Sequence, residues 1–174
     1  MTRYILRLLL HCCLFFTPFI HASDLALEGT QWETVANRHG IDPYLLYSVA
    51  LAESASGRGD KGSKQISPWP WTLRTLSDAY YGLNKSDAEK KLQEMQKTDN
   101  DSIDVGLMQV NYRYHKDKVS NITDLLDPAT NLDVGAQILS TAIKSSPNDL
   151  ELGVGRYHHW KDETPLCQDR CRLF

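Results

Sequence analysis

The sequence predicts a mainly helical α+β domain carrying one small irregular or β patch, and three observations predict it. Helix-start signals recur: capping boxes at Thr30-x-x-Glu33 and Ser86-x-x-Glu89, and an Asp followed by Pro at Asp42-Pro43 and Asp127-Pro128. Leu132, Ala136, Leu139 and Ile143 form one apolar stripe at helical spacing. A short apolar stretch, Val105 to Asn111, lacks that spacing and is expected to be extended or irregular, packed across a cleft. With 174 residues and no internal repeat, the chain has room for a single core.

The first residues are set apart from that domain. Met1 to Arg7 carries two Arg and no acid, Leu8 to Ile20 is almost wholly apolar, and Ala22 precedes polar Ser23-Asp24. That order is expected of a secretory signal peptide over residues 1–22, too short for a comfortable membrane span. The expected organisation is therefore a leader at 1–22, one domain at 23–160 and a tail at 161–174, with the mature chain in the periplasm. Without the leader 17 basic side chains face 22 acidic ones, a net charge of −5. Such a balance argues against nucleic acid as a partner, since phosphate contacts require a basic face. Nothing beyond the leader is apolar enough to cross a bilayer.

Of the four cysteines, Cys12 and Cys13 lie in the leader, and Cys167 and Cys171 stand as C-x3-C at the far end. In an oxidising compartment that pair suggests a small terminal disulfide, closing too short a loop to stabilise the fold much. No second ligand pair follows at finger spacing, and His158-His159 are adjacent and diverge, so no metal is expected. A surface or cleft-edge place suits the two histidines better.

Along the domain, a first helix is expected from Thr30 to His39, stopped by Gly40. The second opens at Asp42-Pro43 and ends in Glu53, with Leu45, Leu46, Val49, Ala52 and Glu53 near one face. Ser54 to Ser67, rich in Gly, Ser and Lys, is expected to be a loop. Two prolines in Ser67-Pro68-Trp69-Pro70-Trp71 forbid regular helix and present two indoles, one suited to the core and one to sugar stacking. Thr72 to Tyr81 is expected to be helical, followed by a charged helix from Ser86 to Lys97 and a polar turn from Asp99 to Asp104. Ala129 to Lys144 is a further helix, and Pro147 to Tyr157 a last helix or turn.

Glu53 closes an apolar run, Pro43 to Ala52. Partly dry surroundings raise a Glu pKa because desolvation penalises the charged form. A Glu kept protonated near neutral pH can donate a proton to a glycosidic oxygen. Met108 and Gln109 bring a flexible thioether and an amide, side chains suited to a sugar cleft, with core packing as the alternative for Met108. Asp101 and Asp104 are read as turn formers, with a second catalytic carboxylate as the alternative.

Glu53-Ser54, Gly106-Leu107-Met108-Gln109 and Tyr157 within Gly155-Arg156-Tyr157-His158 together resemble the soluble-lytic-transglycosylase-like catalytic domain, family 1 of the peptidoglycan lytic transglycosylases. Leu126-Asp127-Pro128, Asn131-Leu132 and Gly135-Ala136 match as well, and the resemblance covers Thr30 to Trp160. It implies a lysozyme-like fold, no cofactor, and peptidoglycan glycan strands as the partner. Glu53 would be the sole acid/base; Ser54, Met108, Gln109, Asn111, Tyr157, Trp69 and Trp71 are the substrate-binding candidates. The sequence departs from the family's Ala-Tyr-Asn at Arg156-Tyr157-His158, so the resemblance gives His158 no role. Ser67 to Thr72 and the long gap before Gly106 resemble the branch that accompanies conjugation, pilus and secretion machines. The implied reaction closes a 1,6-anhydro sugar. The alternatives are a hydrolytic muramidase of the same fold using Asp104, and a non-catalytic wall-binding scaffold.

Overall fold

A computed structural model of the chain describes residues 25–57, 66–99 and 101–158. The leader and its cleavage site, the Cys167–Cys171 pair and the boundary at 160 lie outside the described residues. Six helices and two small antiparallel sheets make up the described part. In chain order these are α1 (Gln31–His39), α2 (Pro43–Ser54), β1 (Ala55–Ser56), β2 (Ser67–Pro68), β3 (Thr72–Arg74), β4 (Ala79–Tyr81) and α3 (Lys85–Asp99). There follow β5 (Asp104–Val105), β6 (Val110–Asn111), α4 (Tyr112–His115), two 3-10 turns (Lys116–Lys118, Ile122–Leu126), α5 (Pro128–Lys144) and α6 (Leu150–His158). β1 pairs with β2, and the second sheet runs β4-β3-β5-β6. Among the described residues no helix is long and apolar enough to cross a membrane.

Local chemistry explains the two strongest helix starts. Asp42 accepts from Leu45 N–H at 2.9 Å and Asp127 accepts from Thr130 N–H at 2.9 Å, each ahead of a Pro whose missing N–H costs nothing there. The other starts differ from expectation. Thr30 flanks α1 without a side-chain cap; its hydroxyl donates to Leu27 O, and Glu33 reaches past it to Gly29 N–H at 2.7 Å. α3 begins one residue before Ser86, because Asn84 accepts from Asp87 N–H while Asp87 accepts from Leu83 N–H. Asp101 adopts φ 65° and accepts from Gln96, as a turn former does.

The segment Thr72 to Tyr81 is a β-hairpin, not a helix. Thr75 Oγ1 accepts from the N–H of Ser77 and of Asp78, which turns the chain, and Thr75 N–H closes on Asp78 O. Thr72 then faces Tyr81, and Leu73 pairs on its other edge with Val105. Leu73 is fully buried, so sheet pairing and burial together outweigh local helix preference. The apolar segment 105–111 forms the β5–β6 hairpin, with Val105 opposite Val110.

The core is held by α5, which packs on α1, α6, β6 and the second 3-10 turn. Its Leu132, Ala136 and Leu139 meet Leu46, Val49 and Ala50 of α2 and the buried Val105, Met108 and Val110. One polar side chain sits among them. Asn131, 1 % exposed, accepts from Met108 N–H at 2.8 Å and donates to Val105 O at 2.7 Å and Leu125 O at 2.9 Å. The amide thus ties the β5–β6 turn and the 3-10 turn to the start of α5. Gly106 adopts φ 83° in that turn, and a Cβ there would collide with the Asn131 side chain. Asn131→Leu would keep the volume but orphan Met108 N–H and two carbonyls, each costing about 1–3 kcal/mol when buried. We expect it to lower the urea midpoint by the equivalent of ~3 kcal/mol or more in equilibrium unfolding, whereas exposed Gln137→Leu should change it by under ~0.5 kcal/mol.

Candidate active site

Glu53 lies in the last turn of α2, where Leu46, Val49 and Ala50 bury the helix and leave its end at the margin of the core. Its side chain is 11 % exposed, and Oε1 stands 2.8 Å from Nδ1 of His158, the last residue of α6. α2 runs one residue further than expected, through Ser54, and Ala52 of the expected apolar face is exposed.

Ser54 is fully buried. Its hydroxyl lies 2.8 Å from Leu107 O and 3.1 Å from Ala50 O, and it accepts Trp69 N–H at 3.2 Å. It joins the helix end, the β5–β6 turn and the indole segment, and has no surface left for a sugar. That corrects its expected place among the substrate-binding residues.

Met108 needs the same correction. Its thioether is fully buried against Gly135 of α5, where any Cβ would overlap it. The backbone of Met108 is the part that serves the site: its carbonyl accepts from the Tyr157 hydroxyl and its N–H donates to Asn131 Oδ1. Gln109 holds φ 46°, and its amide donates to Thr72 O at 3.1 Å and to Gly106 O at 2.9 Å. Its side chain therefore clamps β3 to the turn, while Oε1 is buried without a partner.

Asp104 and Asn111 face each other across β5 and β6, with Asn111 Nδ2 donating to Asp104 Oδ1 at 2.7 Å. Burial pushes the Asp104 carboxyl above the usual range; the Asn111 hydrogen bond opposes this, the Glu53 charge adds to it, and Arg74 and His158 pull it back. Burial, then the charges of Glu53 and Asp104, push the Tyr157 phenol well above its ordinary value, so it stays a neutral donor. Glu53, Asp104, Tyr157 and His158 thus form one electrostatic neighbourhood. His158 is the member that sequence reasoning left without a role; its adjacency to Glu53 crosses 105 positions and leaves no local signal.

The two indoles meet edge to face, with ring centroids 5.3 Å apart at 89°. Trp69 Nε1 donates to Gly82 O at 2.7 Å, and Trp71 packs against the core with Nε1 buried and without a partner. Trp71 Nε1, Gln109 Oε1 and Asn111 Oδ1 all lie on or beside the four-stranded sheet.

Because Met108 acts through its backbone, Met108→Leu should leave KM and kcat near wild type and cost under ~1.5 kcal/mol, as a volume-conserving core exchange does. Ser54→Ala removes the donor to Leu107 O and one of the two acceptors of Trp69 N–H, leaving it the Ser54 carbonyl, and should cost about 1–3 kcal/mol. Unfolding midpoints together with steady-state kinetics of both variants check this pair.

Comparison with curated proteins finds no match, and comparison with solved structures finds none. The model of one protein family, the transglycosylase SLT domain, does match, over residues 30–161. The match takes in both Glu53 at the end of α2 and the Tyr157–His158 wall, and the helical fold with small antiparallel sheets is that of the lysozyme-like SLT domain. The chain belongs to the transglycosylase SLT family and carries the catalytic domain of a lytic transglycosylase, which acts on the glycan strands of peptidoglycan.

Proposed function

We propose that this chain is an exported, periplasmic enzyme that cuts MurNAc–GlcNAc β-1,4 bonds, leaves 1,6-anhydro-MurNAc ends, and opens the wall locally for an envelope-spanning apparatus. The observation that carries the chemistry is a largely buried Glu53 carboxyl at a helix end, beside the His158 imidazole of α6 and close enough to Asp104 of β5 for its charge to be felt there. Most glycosidases need two carboxylates. An N-acetylated sugar can supply the second function itself, its acetamide oxygen attacking the anomeric carbon as Glu53 protonates the leaving oxygen. The resulting carboxylate then takes the proton of the C6 hydroxyl as that oxygen closes on the anomeric carbon, breaking its bond to the acetamide oxygen and restoring the acetamide. No water is consumed.

Asp104 favours a second reading, hydrolysis by a muramidase mechanism, because its carboxyl is largely buried and feels the charge of Glu53. Glu53→Gln should lower turnover of sacculi by at least ~10²–10⁴, the contribution of a positioned acid/base, while the protein still folds and binds them. Asp104→Asn should keep most of its activity, and native products should be anhydro-muropeptides, lighter by one water than hydrolysis products. Reducing-end products with an inactive Asp104→Asn would give the reaction to the muramidase. No product from the native protein would leave a wall-binding scaffold.

Export is supported by the basic, apolar and small-residue order of residues 1–22. Intact mass of the secreted chain should correspond to cleavage after Ala22; a mass retaining Met1 overturns this. The link to an apparatus is supported by the resemblance of the Ser67 to Thr72 segment to that branch, and deletion of the gene should impair assembly of the apparatus while growth continues.

A further inference from the structure

We propose that His158 is a positioning residue for Glu53, holding the carboxyl group by one oxygen so that the other meets the glycosidic bond; this rests on Glu53 being the acid/base. The imidazole Nδ1 lies 2.8 Å from Oε1. A Glu side chain has three rotatable torsions, and the last turn of α2 fixes only its backbone. A Nδ1–H donated to Oε1 removes that freedom and leaves Oε2 to carry the acid proton. The Oε2 proton passes to the glycosidic oxygen as the bond to the anomeric carbon breaks. The C6 hydroxyl proton returns to Oε2 as C6 oxygen bonds the anomeric carbon. The His158 proton is neither gained nor lost, and its hydrogen bond supports the carboxylate that exists between the two transfers.

The fold delivers this imidazole on a fixed support. α6 is tied to the end of α5 by Arg156, whose Nη1 donates to Ser145 O at 2.9 Å and to Ser146 Oγ at 2.7 Å. The Tyr157 hydroxyl pins the same helical turn to Met108 O, in the turn that Asn131 holds. His158 is thus set against Glu53 by contacts that do not involve the reacting atoms, which is how a supporting group keeps a catalytic one in place. Among the described charged and titratable groups near it are Glu53 on α2, Asp104 on β5, whose charge Arg74 on β3 also feels, and the neutral Tyr157 phenol on α6.

The test compares His158→Ala and His158→Asn in the secreted full-length protein, using soluble glycan-strand fragments as substrate. Ala should lower kcat by about 10- to 10²-fold, the loss that misplacement of a reacting group produces, with KM little changed. Asn places Nδ2 nearly where Nδ1 stood and keeps an N–H donor that does not titrate. It should restore most of kcat but alter the pH profile in the range where an imidazole ionises. Unchanged kcat in Ala, a loss in folded Ala that Asn does not restore, or an Asn profile identical to wild type would each overturn the proposal. If Ala does not fold, the Asn profile decides. An inactive Glu53→Gln beside a fully active His158→Ala removes only the role of His158, whereas an active Glu53→Gln removes the acid/base assignment itself.

Discussion

The site depends on one buried carboxamide. Asn131 lies in the first turn of α5 and meets three backbone groups from two pieces of chain, Val105 and Met108 of the β5–β6 hairpin and Leu125 of the second 3-10 turn. The amide thereby fixes how the β5–β6 turn sits on the helix. Everything on the far side of the cleft is then referred to that turn: Ser54 through Leu107 O, Tyr157 through Met108 O, and β3 through Gln109. A buried polar group that is fully satisfied specifies one arrangement more sharply than apolar packing does.

Seen this way, the Gly106 to Gln109 segment is recognised by its backbone. Its N–H and C=O groups carry the contacts, while Leu107 and Met108 contribute apolar volume to the core. The demands on Gly106 and Gly135 come from the close approach of Asn131 and Met108 rather than from contact with a sugar. The ionisable groups of the candidate site are carried instead on helix ends, Glu53 on α2 and Tyr157 with His158 on α6, and on β5 by Asp104.

Local signals in the sequence were enough for the helical class, the Asp-Pro starts of α2 and α5, the turn role of Asp101 and the place of Glu53 near the buried face. Thr72 to Tyr81 was misread because the outcome rests on Leu73 pairing with Val105, a contact made across the chain. The Thr75 hydroxyl that turns the hairpin was a local signal available to be read. Met108 was assigned to the cleft because a thioether suits a cleft and a core equally; only Gly135, on another helix, decides between them. Ser54 was placed with the substrate because it follows Glu53, yet helical geometry turns successive side chains apart. His158 could not be placed at all, since no spacing within the sequence brings the end of α6 to the end of α2.

The indole pair has an optical consequence. Trp69 and Trp71 stand at right angles in edge contact, and the Trp69 backbone is bonded to Ser54, the neighbour of Glu53. Two chromophores so close couple their transitions, giving a near-ultraviolet circular dichroism signature that vanishes if either ring rotates. Trp32 contacts Tyr47 instead, on another part of the domain. The protein therefore carries an intrinsic spectroscopic probe bonded to the residue that follows Glu53, able to report on the candidate site without a label.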